Sequence, residues 1–375
     1  MTNAVLGLAK AQDELGVEVA IAGAEPEGRP LYQPMQPPEG VRLFRWKPRW
    51  KVQLGSLTWR GIPDLVRTAL SDFAPEVVHI HGEFNPDNLW VPHLFRHASL
   101  ILSPHGAFHP VLLRKSRDFL KRFYVALARH WLYRHLHALH ALNPAEAGHI
   151  RSLLGPFNVY IVPQGPSIHV QGSTGDQTKA FRRERTAGEI RLIFVGRLDV
   201  YTKGLDILLE AFAEAVQASK QMVSLTLVGP DWKGSMEILR CRVVELGLEG
   251  KVSFAGPVPG REVGRLLAQS DLYLLVSRHE GFPLSLCEAL LLGKPAILSE
   301  AIGTMSYVEI ANLPFVKVVP PDKRHASKAM IEAIHQLPRL KASAQQSLER
   351  VRRFFDWHEI AKQHLDFYKR LTSRS

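Results

Sequence analysis

Two glutamates eight positions apart could bind the polar groups of a ligand. Glu280 and Glu288 follow an apolar, strand-like run over residues 272–276. We expect a helix to begin near Leu284, because Gly-Phe-Pro forms a turn directly before it. The unpaired N–H groups of that helix start would bind an anion, with Glu288 about one turn inside on the same side. This arrangement suits a diphosphate, a ribose and a second polar group, which are the parts of a nucleotide sugar.

The simpler alternative is a solvent-exposed helix start, where acidic residues are common. A second segment favours the ligand site instead. Residues 191–198 predict a buried strand that ends at Gly196-Arg197, and Lys203-Gly204 precedes an apolar-periodic helix. Ligands of open α/β sheets bind beyond the carboxyl ends of the strands, where Arg197 and Lys203 would lie. A guanidinium fork and an ammonium both suit a diphosphate.

The same motifs resemble the donor site of the family 4 retaining glycosyltransferases. The resemblance is carried by Gly196-Arg197-Leu198, by Lys203-Gly204, and by Glu280-Gly281-Phe282 with Glu288, and the similarity runs through nearly the whole chain. Ser103-Pro104-His105-Gly106 resembles the first-domain signature of a subgroup that builds bacterial surface polysaccharides. The implied fold class is α/β, in the GT-B arrangement of two Rossmann-like, doubly wound domains that face a cleft.

Chain length and element pattern also predict two domains. A chain of 375 residues exceeds one ordinary core, and short apolar runs alternate with helical patterns in both halves, as in parallel sheets. We expect an N-terminal, acceptor-side domain over residues 1–165, a linker over 166–189 and a donor domain over 190–350. A final helix within residues 351–375 resembles the terminal helix of the family and would pack back on the N-terminal domain.

The beginning of the chain departs from the family pattern. Residues 2–15 predict a helix and residues 17–22 a strand, whereas the family usually has a strand and a glycine-rich loop before that helix. A lost central strand would leave unpaired backbone groups and an exposed edge. We therefore expect the true start to lie upstream, with a natural deletion as the alternative. A chain without that strand and loop is a candidate for an inactive relative.

Composition argues against several classes of protein. Two cysteines provide no disulfide framework and no zinc spacing, no apolar run reaches the ~18 residues of a membrane span, and no signal peptide is visible. These features predict a cytoplasmic location. No Asp-x-Asp metal signature is visible, so we predict no metal and no cofactor beyond the nucleoside diphosphate sugar itself.

The net charge of +11 suits an anionic partner, either nucleic acid, an anionic membrane or an anionic substrate. Basic and aromatic residues are mixed over residues 42–51 and again over 113–134. That mixture is typical of a membrane-surface helix, and equally of a half-buried amphipathic helix with a basic polar face. No motif of a known nucleic-acid-binding module is visible in the sequence, which disfavours nucleic acid as the partner. The resemblance favours peripheral contact with the cytoplasmic face of a membrane, since such enzymes often act on polyprenyl-linked sugars.

Histidines close two predicted strands of the first domain. His79 and His81 share one face of the strand within residues 76–82, with His81 at its carboxyl end, and His105 follows the next apolar run. A structural hydrogen-bonding role is the simpler alternative for each. The resemblance places His105 beside the transferred sugar or its phosphate, and we add His81 and His109 as acceptor-side candidates.

A mechanism can be assembled from these positions. Arg197 and Lys203 would neutralise the diphosphate as the sugar–phosphate bond breaks, the electrostatic effect that usually dominates catalysis. Glu280 would orient the donor sugar, and Glu288 would accept hydrogen bonds from the ribose. Further donor contacts are predicted at Gly281, at the backbone amides of Phe282, Leu284 and Ser285, and at the turn of Gly229.

The predicted activity is a retaining hexosyl transfer from a nucleoside diphosphate sugar to a saccharide or polyprenyl-linked acceptor in polysaccharide biosynthesis. The leaving phosphate would deprotonate the acceptor, as the resemblance implies. A nucleotide-sugar epimerase or a phosphorylase is an alternative with the same fold. From another class, a catalytically inactive or truncated relative would bind sugar nucleotides or act as a membrane adaptor. The intact Glu280, Glu288 and Lys203 favour the enzyme.

Overall fold

The computed structural model of the protein describes residues 2–25, 37–47, 52–54, 57–59, 61–111, 119–166, 186 and 188–373. The chain forms two compact units, of which the first combines Met1–Gly165 with Asp356–Ser375 and the second is Pro166–Phe355. Most of the linker that was predicted over residues 166–189 lies outside the described residues.

Helices and strands alternate in both units. The strands are β1 (Ala20–Ala24), β2 (Arg42–Trp46), β3 (Val52–Leu54), β4 (Leu57–Trp59), β5 (Val77–His81), β6 (Ser99–Ser103), β7 (Ala138–Ala141), β8 (Val159–Ile161), β9 (Ile190–Val195), β10 (Val223–Val228), β11 (Val252–Gly256), β12 (Leu272–Leu275), β13 (Ala296–Ser299) and β14 (Val316–Val319). The helices are α1 (Thr2–Glu14), α2 (Asp64–Phe73), α3 (Val91–Leu94), α4 (Phe119–Trp131), α5 (Pro144–Leu154), α6 (Leu205–Ala218), α7 (Ser235–Glu245), α8 (Gly260–Gln269), α9 (Leu284–Leu291), α10 (Val308–Ala311), α11 (Lys323–His335), α12 (Leu337–Phe354) and α13 (Trp357–Thr372).

The first unit contains a four-stranded parallel sheet in the order β5-β6-β7-β8. Its central strands are buried on both faces, and Ile101, Leu102 and Leu139 are fully buried, as expected where helices cover both sides of a parallel sheet. β1 and β2 form a separate parallel pair, and β3 and β4 pair antiparallel. Among the described strands, no ladder joins β1 to β5, so each of these two strands has a single partner.

The second unit contains a six-stranded parallel sheet in the order β11-β10-β9-β12-β13-β14. Numbered within the unit, this order is 3-2-1-4-5-6, which is the order of the Rossmann fold. The chain moves outward from β9 to β10 on one side and crosses to β12 on the other. β9 and β12 therefore flank the topological switch point of the sheet, where ligands of such folds bind. The predicted α/β class and doubly wound sheet are confirmed for this unit.

The last helix belongs to the first unit. α13 packs along α1, and the Trp357 ring fills space beside Gly7 and Gly165, where any Cβ would collide with it. The boundary lies between Phe355 and Asp356, later than the predicted residue 351, because α12 continues to Phe354 within the second unit. Asp356 then caps α13 by accepting a hydrogen bond from the N–H of Glu359.

The two basic and aromatic segments differ in structure. Residues 42–46 form β2. Arg42 forms an ion pair with Glu18, and Arg45 forms one with Glu25, so a carboxylate compensates each positive charge. The second segment contains α4, while its residues 112–118 lie outside the described part of the chain. Within the described residues, no helix combines the length and the apolar character needed to cross a membrane.

Candidate functional site

The predicted donor-site residues lie on the loops that follow β9 and β12, at the switch point of the second sheet. Gly204 adopts a φ of 62°, and a Cβ there would collide with the carbonyl oxygen of Val276 just after β12. Gly229 has a φ of 142°, and a Cβ there would likewise collide with the carbonyl oxygen of Gly196 at the end of β9. Glycine is required at both positions, because the three strand ends approach within backbone contact. The turn of Gly229 thus has a structural role.

Lys203 and Glu280 form an ion pair between the two loops. Both side chains are largely buried, with 14% and 18% of their surfaces exposed. The N–H of Gly303 donates to the carbonyl oxygen of Glu280 at 2.8 Å, which holds the backbone of the second loop. The structure therefore brings together two residues that the sequence placed at separate strand ends.

The cations of the site differ in exposure. The pKa of Lys203 is lowered to about 8, first by burial and then by the positive charge of Arg197, while Asp199 opposes the change. Arg197 is 43% exposed, its Nη2 lies 3.8 Å from Asp199 Oδ2, and its guanidinium lies 4.0 Å from the ring centroid of Trp232. An arginine stacked on a ring directs its in-plane N–H groups outward, where they can bind an anion.

Helix α9 begins at Leu284, as predicted. The hydroxyl of Ser285 donates to Val195 O at 2.9 Å and lies 2.9 Å from Tyr273 OH. These bonds hold the helix start against β9 and β12, so the backbone N–H is the group through which Ser285 could contact a ligand. Glu288 is buried one turn further along the helix.

In the first unit, the structure brings His81 and His105 together, with His81 Nδ1 and His105 Nε2 3.1 Å apart. His105 has a φ of 53°, a left-handed conformation that is strained for a residue with a Cβ. Glu146, which was not predicted from the sequence, supports the turn. Its carboxylate accepts hydrogen bonds from Gly106 N at 2.6 Å and from Leu142 N at 2.8 Å.

A buried hydrogen-bonded chain lies behind His81. His79 Nε2 is 2.6 Å from Ser103 Oγ, which is in turn 2.6 Å from His140 Nδ1. His79 Nδ1 is 2.6 Å from Tyr368 OH on α13, and the His79 ring stacks on His81 at 4.3 Å. Burial lowers the pKa of His81 to about 3 and that of His140 to about 4, so both are neutral at physiological pH.

His109, the third acceptor-side candidate, packs edge-on against His149 of α5, with ring centroids 4.6 Å apart. Burial and the charge of His149 lower the pKa of His109 to about 4. Among the residues that the structure describes, no group of three or more His, Cys, Asp or Glu side chains is arranged to hold a metal ion. The absence of a metal requirement stays a prediction from the sequence.

Two family models match consecutive parts of the chain. The glycosyl transferase 4-like domain matches residues 1–165, and glycosyl transferases group 1 matches residues 176–349. The chain belongs to the family 4 glycosyltransferases. This family 4 glycosyltransferase shares its fold with sucrose-phosphate synthase from Thermosynechococcus elongatus, at a TM-score of 0.70 over 98% of this chain and 92% of that chain. Their sequence identity is 18%, so the likeness shows the GT-B fold alone.

Two curated relatives of this family 4 glycosyltransferase differ in how much of their length it spans. The mannosylfructose-phosphate synthase of Agrobacterium fabrum is 25% identical over 55% of this chain and 46% of its own length. The GDP-mannose:cellobiosyl-diphosphopolyprenol alpha-mannosyltransferase of Xanthomonas oryzae pv. oryzae is 24% identical over 82% of this chain and 76% of its own length. The chain therefore spans about half of the first relative and three quarters of the second.

Several residues of the second-unit site in this glycosyltransferase were not predicted from the sequence. Asp199 Oδ1 accepts a hydrogen bond from Thr202 N at 2.9 Å and shapes the turn before Lys203. An aspartate at a strand end, followed by a turn, was the available local signal. Trp232 had no such signal, because its contact with Arg197 joins two loops that are distant in sequence.

Proposed function

We propose that this glycosyltransferase moves a sugar from a nucleoside diphosphate sugar to a saccharide or lipid-linked saccharide, with retention of the anomeric configuration. The observation that carries the proposal is the buried Lys203–Glu280 ion pair at the switch point of the second sheet. Arg197 and Lys203 both follow β9, so two cations lie at the strand ends where a doubly wound sheet binds its ligand. The name of the Xanthomonas relative supports the donor class, since it gives GDP-mannose as the donor.

Electrostatic stabilisation of the leaving group drives the proposed reaction. The nucleoside diphosphate gains negative charge as the sugar–phosphate bond breaks, and Lys203 and Arg197 stabilise that charge in a partly desolvated site. Lys203 is mostly protonated at pH 7, since its pKa of about 8 is higher. The N–H groups at the start of α9 add to the positive potential. These groups supply the charge that a divalent metal would otherwise supply, so the proposed reaction needs none.

Glu280 changes its partner in this mechanism. A bound diphosphate takes over the Lys203 ammonium, and the released Glu280 carboxylate turns to the donor sugar, where it stabilises positive charge at the anomeric carbon. Glu288 accepts hydrogen bonds from the ribose hydroxyls. The leaving phosphate oxygen accepts the proton of the acceptor hydroxyl, whose oxygen forms the new bond on the face from which the phosphate departs. The configuration is therefore retained.

Calorimetry with a panel of nucleoside diphosphates and nucleotide sugars tests the donor site. We expect one base to be preferred and Glu288→Ala to weaken its binding, whereas Glu309→Ala, which removes an exposed glutamate from the first turn of α10, should not. No binding by the folded wild-type chain would refute the donor site. Binding without transfer to any saccharide or polyprenyl-linked acceptor would instead support the alternative of an inactive sugar-nucleotide binder.

The proposed function includes peripheral contact with an anionic membrane. One surface of the first unit supports this part of the proposal. Trp90, Phe123 and Trp131 are 61%, 57% and 44% exposed, and His93 lies between the two tryptophans, 6.2 Å from each ring. α4 contains no acidic residue, while its opposite face is buried in the core, including Tyr124. The helix is thus amphipathic, and its exposed aromatic and basic residues suit anionic lipid.

Sedimentation with phosphatidylcholine vesicles, with or without an anionic phospholipid, tests this surface. We expect binding only to the anionic vesicles and a loss of binding in the Phe123→Ser, Trp131→Ser double variant. Leu65→Ser is the matched control, since Leu65 is an exposed apolar residue on α2 of the same unit. Wild-type protein that stays in the supernatant with anionic vesicles would exclude the membrane contact without affecting the donor site.

A further inference from the structure

Arg278, two residues before Glu280, joins the two loops of the second-unit site. Its Nη1 and Nη2 donate to the two carboxylate oxygens of Asp206 at 2.8 and 2.7 Å. Nη1 also donates to Tyr201 O at 2.9 Å, and the backbone N–H of Arg278 donates to Thr202 O at 3.0 Å. The guanidinium lies 4.7 Å from the ring centroid of Tyr201. The loop after β12 therefore holds the loop after β9 through both its backbone and its side chain.

These contacts converge on the residues around Lys203. The carbonyl groups of Tyr201 and Thr202, directly before Lys203, both accept hydrogen bonds from Arg278. Gly204, directly after Lys203, packs against the backbone at the end of β12. Asp206 lies in the first turn of α6, where the helix dipole favours a carboxylate, so the guanidinium is anchored to a rigid helix start.

We propose that Arg278 is a positioning residue that holds Lys203 against Glu280 and so fixes the cation of the diphosphate site. Its consequence for catalysis rests on the proposed function, whereas its effect on Lys203 rests on the geometry of the loops alone. Without the Arg278 side chain, the backbone bond to Thr202 O remains, but the bond to Tyr201 O and the anchor on Asp206 are lost, and the Lys203 ammonium moves towards solvent. Since burial is the main cause that lowers the pKa of Lys203, that pKa should then rise.

The test measures the pKa of Lys203 directly, by pH-dependent acetylation with detection of the modified peptide by mass spectrometry. We expect a midpoint near pH 8 in the wild-type chain and an upward shift of about one unit in Arg278→Gln. A displaced cation should also lower kcat/KM about ten- to a hundredfold. Arg242→Gln is the matched control, because Arg242 pairs with Glu210 on the same helix α6 at 2.6 Å. The control should change neither quantity.

An unchanged midpoint in a folded Arg278→Gln chain would overturn the proposal, even if its melting temperature fell. Should that variant fail to fold, Asp206→Asn weakens the same bidentate pair and retains the arginine, and an unchanged midpoint there would overturn the proposal as well. Failure of the wild-type chain to bind any nucleotide would refute the donor site. The acetylation result would still decide whether Arg278 positions Lys203, so the two failures can be distinguished.

Discussion

The carboxyl ends of the parallel strands carry different chemistry in the two units. In the second unit they carry full charges, with Lys203 paired to Glu280 and Arg197 stacked on Trp232. In the first unit β5 ends at His81, which contacts His105, and burial holds the pKa of both imidazoles well below the usual value. One edge is therefore ionic, whereas the imidazoles at the other edge are uncharged at neutral pH.

This difference matches two kinds of ligand group. A diphosphate carries negative charge and is best bound by cations, whereas sugar hydroxyl groups need donors and acceptors without net charge. A neutral imidazole offers one donor and one acceptor. The same strand-end position can thus carry different chemistry in the two units, because the side chains, and not the fold, decide the chemistry.

The largest effect is expected from removing the cation of the ionic edge. Lys203→Ala should lower kcat/KM about 10²- to 10³-fold, since one preorganised electrostatic contact to the leaving group is lost. Lys203→Arg keeps the charge and is the control.

The pH dependence of nucleotide binding tests the same cation. Nucleotide affinity of the wild-type chain should fall as the pH rises through about 8, because Lys203 loses its proton, while the Lys203→Arg variant should show no such fall. Affinity that stays constant up to pH 9 in the wild-type chain would contradict this assignment.

A smaller effect is expected at the imidazoles of the first unit. Asparagine tolerates the left-handed backbone of residue 105, so His105→Asn removes the imidazole with little strain. We expect kcat/KM to fall about ten- to a hundredfold, the cost of one hydrogen bond to a charged or polarised group. The affinity for the nucleoside diphosphate should be unchanged in calorimetry. A loss of nucleotide affinity equal to that of Lys203→Ala would remove the distinction between the two edges.

The buried histidines should also make the first unit the more acid-sensitive one. Their folded-state pKa values lie below those of the unfolded chain, about 3 for His81 and about 4 for His140. The unfolded chain therefore binds more protons below pH 6.5, and stability that is present above pH 6.5 is lost as the pH falls towards 3. Each histidine contributes up to about 1.4 kcal/mol per pH unit.

Hydrogen exchange at pH 7 and pH 5 measures this difference strand by strand. We expect β5 and β6 of the first unit to lose protection at pH 5, while β9 and β12 keep theirs. Tyr368→Phe, which removes the hydrogen bond to His79 from α13, should increase the loss in β5. Equal loss in the two sheets would contradict a histidine origin.

Local patterns predicted the second unit better than the first. β9, β12 and the start of α9 were predicted from apolar runs that are followed by turn residues, because a buried parallel strand and a helix start both have local signatures. β3 and β4, of three residues each, were missed. β2 and β14 were missed too, because Arg42 and Arg45 in the first and Lys317 in the second interrupt the apolar pattern. Their pairing with β1 and β13 is tertiary, so no local signature reveals it.

The candidate sites show the same limit. The sequence identified Lys203, Glu280 and His105, whose types and positions at strand ends are informative. It did not show that Lys203 and Glu280 pair, since the contact depends on the order of strands in the sheet. It also left out Glu146 and Arg278, which act by fixing the backbone of residues that are distant in sequence.

The smallest effect is expected at Trp232, whose ring supports Arg197. An exposed cation–π contact contributes about 0.5–1 kcal/mol, so Trp232→Leu should weaken nucleotide binding about two- to fivefold. Trp232→Phe keeps an aromatic ring and should lie between that variant and the wild type. Trp232 is the only tryptophan between residues 166 and 355. Replacing the tryptophans of the first unit by phenylalanine would therefore leave Trp232 as a single fluorophore that reports nucleotide binding. A loss as large as that of Lys203→Ala would mean that the indole itself binds the nucleotide, and the second-unit edge would then be aromatic as well as ionic.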